Sequence, residues 1–529
     1  MGGKNHPFSH REGKMDGNIY ITALTNLLNI KILILIFLGA AGGMVAGALP
    51  GITATMSVAL LIPFTFTMDP IAGLVTLGAI YCGAIYGGCF SAILINTPGT
   101  PSSIGTCFDG FPMAKQGRAE EAIAGATTAS VVGGIFGTFV LLFLSPFLAD
   151  QALKFGPPEY FWLGIFGLTI IASLTAKSII KGLIGGMFGV LLSTIGIAPI
   201  GGDVRFSFGQ PALQGGVSLI PALIGFFCIP EVLNMIGTAH KITQRIPLSK
   251  KRKGVFLSTA AKVLKMPVTL LRSMIIGVIV GIIPGAGGNI ANLVAYNETV
   301  RASKHPEKFG TGMLEGVVST ESANNAEVEG SLVPLLTLGI PGAPPAAVLF
   351  GALMLHGLRP GPELFAVHTT FVYTFIISLF FANIMMLFIG IFGGRMMARA
   401  ISATPVKLLA PFIVFLCIIG SYAIRNQMLD VVSMFGLGLA GYGLKKLGFH
   451  PGPIVLGIIL GPIIEEGFVQ SLLIGKAWTI PWTIFFVNPI SVILIILCIL
   501  SASWPFVSPK IEKIRDNLAK ARRMKRSES

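Results

Sequence analysis

The stretches GMVAGALPGIT, residues 43–53, and GVIVGIIPGAGGN, residues 277–289, decide the fold of this chain. Each is an apolar run rich in small residues that ends in Pro-Gly. Proline removes a backbone donor and clashes with the preceding turn, and glycine tolerates most backbone angles, so the pair ends a helix. Because a helix that ends in hydrocarbon leaves backbone groups without partners, such breaks are restricted to protein-lined cavities.

A second pair of breaks follows the first in the same order. NTPGTP, residues 96–101, and GIPGAPP, residues 339–345, also end apolar runs. The matching order and spacing predict two related halves, with the boundary at the basic loop 241–253. Paired breaks at corresponding positions indicate a transport site. The alternative is that Pro-Gly marks kinks or re-entrant turns in helix packing.

The composition places this fold in a membrane. The 529 residues are 53% hydrophobic and 12% charged, with a mean hydropathy of +0.80, whereas soluble domains are about 25% charged. We predict an all-α, polytopic membrane protein with about 11 or 12 transmembrane helices. They form two inverted repeats with broken helices or re-entrant hairpins. The predicted parts are an N-terminal segment (1–30), the first repeat (31–240), a cytoplasmic basic loop with an amphipathic helix (241–270), the second repeat (271–506) and a basic cytoplasmic tail (507–529).

The net charge of +15 is concentrated in two segments, the loop 241–253 and the tail. The positive-inside rule places both in the cytoplasm, where anionic lipid attracts them, so the bilayer and not nucleic acid is the predicted partner. Residues 256–272 fit an amphipathic helix on that surface. The chain is therefore predicted to be a multi-pass protein of a bacterial inner membrane with a cytoplasmic C-terminus.

The breaks supply the candidate site residues. The predicted substrate-binding residues are Pro50, Gly51, Thr53, Asn96, Thr97, Pro98, Gly99, Thr100, Pro284, Gly285, Gly339, Pro341 and Gly342. The candidate ligands of a coupling cation, Na+ or H+, are Thr55, Ser57, Asn289, Asn292, Glu321, Asn324 and Asn325. On a helix Glu321, Asn324 and Asn325 lie near one face, and the alternative is a solvated helix next to a span.

The break motifs contain no Arg or Lys, so a carboxylate would be held mainly by backbone N–H groups and helix N-termini. Arg205, Arg272 and Arg425 are candidate outer cations, with interfacial charges as the alternative. Enzyme signatures are absent: no GxxxxGK[ST], HExxH or GxSxG motif occurs, and the six cysteines have no metal-ligand spacing. The sequence predicts no catalytic residue, no metal site and no cofactor.

Long blocks resemble a known family. GALPGITATMSVALLIPFTFTMDPIAG (47–73), STESANNAEVEGSLVPLLTLGIPGAP (319–344) and FGPPEYF (155–161) are similar to the large membrane subunit of tripartite tricarboxylate transporters, TctA-like proteins. The Asn324-Asn325 pair and all four Pro-Gly turns match its motifs. The sequence departs from its pattern at Gly288-Asn289, Thr320 and Glu327.

This resemblance implies a cation-coupled secondary carrier, not an enzyme. It implies a small membrane subunit (TctB-like) as one partner and a periplasmic binding protein (TctC-like) that delivers carboxylates such as citrate as the other. Two alternatives stay open. One is a stand-alone or TRAP-like carrier of organic anions, and the other is an intramembrane enzyme.

Overall fold

The computed structural model describes residues 17–175, 178–238, 254–403 and 406–503. The predicted basic loop 241–253 and the tail 507–529 lie outside the described residues, so the predicted domain limits there stay predictions. Within the described ranges the chain is helical apart from turns and one short hairpin.

The first half contains nine of the described helices. They are α1 Gly17–Leu27, α2 Ile30–Ala48, α3 Ala54–Phe66, α4 Pro70–Ile95, α5 Ile104–Lys115, α6 Ala119–Ala152, α7 Pro157–Thr175, α8 Ile179–Ser193 and α9 Leu219–Thr238. Between α8 and α9, strands β1 (Gly196–Ile197) and β2 (Val204–Arg205) pair antiparallel.

The second half repeats this order and adds short helices. It contains α10 Val255–Leu264, α11 Pro267–Ile282, α12 Gly287–Ala302, α13 Leu314–Leu338, α14 Pro344–Leu355, α15 Pro362–Val367, α16 Thr369–Ala403, α17 Val406–Arg425, α18 Met428–Lys446, α19 Pro451–Gly475, α20 Ile484–Val487 and α21 Pro489–Ser503. The positions of the breaks make α10–α14 the counterparts of α1–α5. Helices α16–α19 are then the counterparts of α6–α9.

Within the described residues, six helices are long and apolar enough to cross a membrane, or up to eight if each bent pair is one span. Four shorter helices are also apolar: Ala54–Phe66, Ile179–Ser193, Pro344–Leu355 and Leu409–Arg425. The all-α polytopic fold is thus confirmed. The prediction of 11 or 12 passes, which counted interrupted segments, is higher than the six to eight candidate spans and is not confirmed.

The predicted amphipathic helix over 256–272 is not one helix. Its residues are divided between α10 and α11, which meet at a bend of 78°. Pro267 begins α11, because its ring fits the first turn of a helix but not the interior.

Glycines let the second helix of each half approach the fourth very closely. A Cβ on Gly43 would lie 2.3 Å from the carbonyl oxygen of Ile80, and one on Gly47 would lie 2.0 Å from that of Ala84. In the second half a Cβ on Gly281 would lie 2.6 Å from the carbonyl oxygen of Glu327. Small residues four apart are the usual way for membrane helices to pack backbone to backbone. The pairs α2–α4 and α11–α13 therefore run parallel and in contact.

Corresponding helices of the two halves run in opposite directions. On α4 and α13, Tyr81 and Ser331 share a hydrogen bond of 3.0 Å, and Cys82 donates to Glu329 at 3.7 Å. The residue numbers thus rise on one helix as they fall on the other. Helices α6 and α16 show the same pattern, with Phe139 against Phe380 and Thr127 against Gly390. Antiparallel counterparts are what an inverted repeat requires.

The contacts also define two opposite ends of the bundle. Helix α9, a candidate span, starts after the β1–β2 hairpin and ends at Thr238, just before the basic segment. On α10, which follows that segment, Lys262 pairs with Glu121 at the start of α6 at 2.9 Å. The hairpin and Thr238 therefore lie at opposite ends of α9, a candidate span.

Candidate functional site

The four Pro-Gly breaks meet around one cavity. Its volume is about 270 Å³, and its wall includes Thr53, Thr100, Gly285 and Ala343, one residue from each break. The rest of the wall comes from α4, α9, α13, α18 and the start of α19. It includes Tyr81, Ile85, Phe226, Phe227, Pro230, Glu231, Glu327, Gly441, Lys445, His450 and Pro451. Segments more than 200 residues apart in sequence thus form one site.

The backbone freed at the breaks is bonded within the protein. The amide of Gly99 donates to the carbonyl of Gly88 at 3.3 Å, and that of Gly342 donates to the carbonyl of Ser331 at 3.2 Å. The amide of Gly285 donates to the carbonyl of Gly342 at 2.8 Å and so joins the two breaks of the second half. With φ +79°, Gly285 adopts a conformation that other residues avoid. The breaks are therefore ordered turns.

Several helices start at the cavity wall. Helix α3 starts after Thr53, α12 at Gly287, α14 at Pro344 and α19 at Pro451, and all four of these positions line the cavity. The Thr53 hydroxyl accepts a hydrogen bond from the amide of Met56 at 3.2 Å and caps α3. Because a helix N-terminus carries partial positive charge, this arrangement favours an anion. Helices α3 and α12, which do not begin with proline, also offer backbone N–H groups.

A basic side chain in this wall was missed by the sequence analysis. Lys445, on the last turn of α18, lines the cavity and pairs with Glu231 of α9. Nothing next to the breaks in sequence indicates Lys445, since it reaches them only through the packing of α18 on α9. The candidate arginines do not line this cavity: Arg205 pairs with Glu465 at 2.6 Å, Arg425 with Asp430, and Arg272 donates to Thr299 at 3.0 Å.

Helix α13 is buried in the centre of the bundle, so the solvated alternative for this helix is wrong. Glu321 accepts hydrogen bonds from Thr106 and from Ser130, the latter at 3.0 Å. Glu329 accepts one from Asn383 at 2.9 Å. The carboxylate of Glu327 has no hydrogen-bond partner among the described residues and lines the cavity.

The structure brings only part of the predicted set to the cavity. Thr53, Thr55, Thr100, Gly285 and Asn289 line it. The other substrate candidates lie outside its wall: Pro50, Gly51, Asn96, Thr97, Pro98, Gly99, Pro284, Gly339, Pro341 and Gly342. So do the cation candidates Ser57, Asn292, Glu321, Asn324 and Asn325.

Several of the outlying residues support the turns. Asn96 and Gly339 end α4 and α13 in the left-handed conformation. Asn292 accepts from the amide of Gly105 at 2.9 Å and donates to the carbonyl of Ser102 at 2.7 Å, which ties α12 to the break before α5. Their roles at the site are thus indirect, through the shape of the cavity wall.

Residues 33–456 match the sequence pattern of the family described as the tripartite tricarboxylate transporter TctA family. The chain belongs to the TctA family. A TctA protein is a component of a tricarboxylate transporter, and the word tripartite indicates that other subunits work with it. The described part of the chain contains no cluster of three or more His, Cys, Asp or Glu side chains that could hold a metal ion.

Two relatives come from Agrobacterium vitis. One, described as an uncharacterised 52.8 kDa protein in the TAR-I ttuC' 3′ region, is 36% identical over 481 residues, which cover 90% of this TctA chain and 94% of the relative. The other, described as an uncharacterised protein in the TAR-II ttuC' 3′ region, is 33% identical over 241 residues, or 45% of this chain and 98% of the relative. The first relative thus shares almost the full length of this chain.

Proposed function

We propose that this chain is the translocating subunit of a cation-coupled tripartite carrier of the bacterial inner membrane. It receives a tricarboxylate or related carboxylate from a periplasmic binding protein and works with a small membrane subunit. The observation that carries the proposal is the cavity at the meeting point of the four Pro-Gly breaks, with helix N-termini and Lys445 in its wall.

The wall fits a small organic anion. Small-molecule pockets are typically about 300–1,000 Å³, and this cavity, at about 270 Å³, lies just below that range. Helix N-termini supply N–H donors for carboxylate oxygens, and Thr53 and Thr100 add hydroxyl groups. Lys445, which pairs with Glu231, adds a cationic side chain beside them. Apolar side chains such as Phe226 and Phe227 exclude water from the other side.

The inverted repeat supports a carrier rather than an open channel. Two hairpin-bearing halves of opposite orientation enclose the cavity, so a movement that opens it to one side has a counterpart that opens it to the other. The backbone bond between Gly285 and Gly342 links the two breaks of one half and favours their movement as a unit.

The test is uptake of a labelled tricarboxylate into proteoliposomes that contain this chain and the small membrane subunit. We expect uptake only with the loaded binding protein outside and with a Na+ or H+ gradient. Equal uptake by the purified chain alone would assign a stand-alone carrier. Recovery of chemically altered substrate would assign an enzyme. Either result would overturn the proposal.

A further inference from the structure

Two buried polar side chains of α13 lack partners. Glu327 is 1% exposed and Asn324 is 0% exposed. Neither carboxylate oxygen of Glu327 and neither polar atom of the Asn324 amide has a hydrogen-bond partner in the described structure. An ionised carboxylate without a partner is costly to bury, and in a membrane protein such a group indicates an ion or substrate path.

The two side chains converge on the same small space beside Gly288. A Cβ built on Gly288 would lie 2.8 Å from Oδ1 of Asn324 and 3.2 Å from Oε2 of Glu327. The third neighbour is Cβ of Ser102, at 2.8 Å, from the break before α5. Because glycine has no side chain, α12 leaves this space open at the cavity wall.

The cationic groups near this space are already engaged. Lys445 lines the same cavity but pairs with Glu231, and His450 accepts a hydrogen bond from the amide of Gly452 at 3.1 Å. The hydroxyl of Tyr81, facing from α4, shares its bond with Ser331. On α13 itself Glu329 adds a second carboxylate. Among the described residues, the surroundings of Glu327 therefore lack an unpaired protein cation that could compensate its charge.

The second half alone has this arrangement. Gly47 packs on the carbonyl of Ala84 just as Gly281 packs on that of Glu327, so Ala84 is the counterpart of Glu327. An apolar alanine holds the place of the carboxylate in the first half. The buried charge is consequently not a requirement of the repeat fold.

We infer that Glu327 and Asn324 bind one Na+ beside Gly288, and that this ion enters together with the anionic substrate. The inference rests on the proposed function and names its coupling ion. An unpaired carboxylate and an unpaired amide oxygen form an oxygen donor set of the kind that hard cations take. The ion also neutralises the one unpaired carboxylate that would repel a carboxylate substrate in this cavity.

The first test measures ion binding without transport. The purified full chain in detergent is heated in NaCl or in choline chloride of equal ionic strength, because a ligand that binds only the folded state raises the melting temperature. We expect Na+ to stabilise wild type, Glu329→Gln and Gly42→Ala but not Glu327→Gln or Gly288→Ala. Glu329 is a buried carboxylate on the same helix, and a Cβ on Gly42 meets nothing within 4 Å, so both are matched controls.

The second test measures substrate counterflow as the Na+ concentration varies, in proteoliposomes that contain this chain and the small membrane subunit, with the loaded binding protein outside. We expect Gly288→Ala to raise the Na+ concentration for half-maximal exchange about tenfold or more, and Glu327→Gln to remove the Na+ dependence. A wild-type Na+ response in both variants, or dependence on pH alone in the wild type, would overturn the inference. Na+ stabilisation without counterflow in the wild type would instead overturn the proposed function.

Discussion

Alanine at Gly99 and at Gly342 tests whether the Pro-Gly turns are packing elements. A Cβ on Gly99 would lie 2.1 Å from the carbonyl oxygen of Gly47, and one on Gly342 would lie 2.1 Å from that of Gly281. Carbon and oxygen in close but unstrained contact are about 3.3 Å apart. The added Cβ is fixed to its own backbone and the carbonyl oxygen belongs to the neighbouring backbone, so no side-chain rotation relieves the clash.

The magnitude follows from the movement that the clash forces. The turn must separate from α2, or from α11, by about 1 Å, a gap that forfeits a quarter to a half of each dispersion contact across it. Overpacking of this kind costs about 1–3 kcal/mol. Because neither backbone can yield locally, we expect about 3 kcal/mol. For a cooperative unit the size of one repeat, that corresponds to a fall in melting temperature of about 6–12 °C.

The assay pairs thermal unfolding of the purified variants with uptake per folded molecule. The matched control is Gly42→Ala, on the same helix as Gly47, where the added Cβ meets nothing within 4 Å. We expect both turn variants to lose stability. Their total uptake should fall in proportion to the folded fraction, so uptake per folded molecule should stay at the control value. A turn variant as stable as the control that still loses uptake would refute the packing role and assign substrate contact to that glycine.

Three further outcomes follow from the cavity and the two membrane sides. Lys445→Gln should raise the KM for tricarboxylate about tenfold, since hydrogen bonds to charged groups contribute about 1.5–3 kcal/mol before solvent screening. Stability should change little, because the Lys445 side chain is 37% exposed. The control Lys446→Gln, which alters a cation over the Tyr442 ring, should keep the wild-type KM. Thr53→Ala should lower the free energy of unfolding by about 1 kcal/mol through loss of the α3 cap, and Thr53→Ser should not. Ala212→Cys and Ser258→Cys, both at exposed positions, should react with impermeant maleimide from opposite sides of the membrane, with the unsubstituted chain as background; labelling from the same side would contradict the assigned ends of the bundle.

The breaks could be read from sequence because their chemistry is local. Pro-Gly at the end of an apolar run ends a helix whatever surrounds it, so Pro50-Gly51 and Pro284-Gly285 predict interrupted helices. Their paired order predicts the repeat, and the antiparallel contact of Tyr81 with Ser331 confirms its inversion. The sequence could therefore predict the broken helices and the repeat.

The cavity wall was harder to predict from sequence because it depends on contacts between elements that are distant in the chain. Lys445 and Glu231 are separated by more than 200 residues, and each taken alone is an ordinary charge near a helix end. The same limit applies to Gly99 and Gly342, which were predicted as substrate-binding residues. Each packs against the backbone of a neighbouring helix, and no local sequence pattern indicates that contact. Glu327 stood out in sequence only as a departure from the family pattern, and its missing partners are visible only in the packed structure.

A Na+ site at Glu327, as proposed above, would also make the transport cycle sensitive to membrane voltage. Moving one elementary charge across the full membrane is worth about 2.3 kcal/mol per 100 mV. With Na+ bound, the carboxylate of Glu327 and the ion together carry no net charge, and voltage acts on that part of the site weakly. After release it carries one negative charge, which a cell interior of negative potential drives outward. The respiratory state of the cell would thus set the speed at which the empty carrier resets.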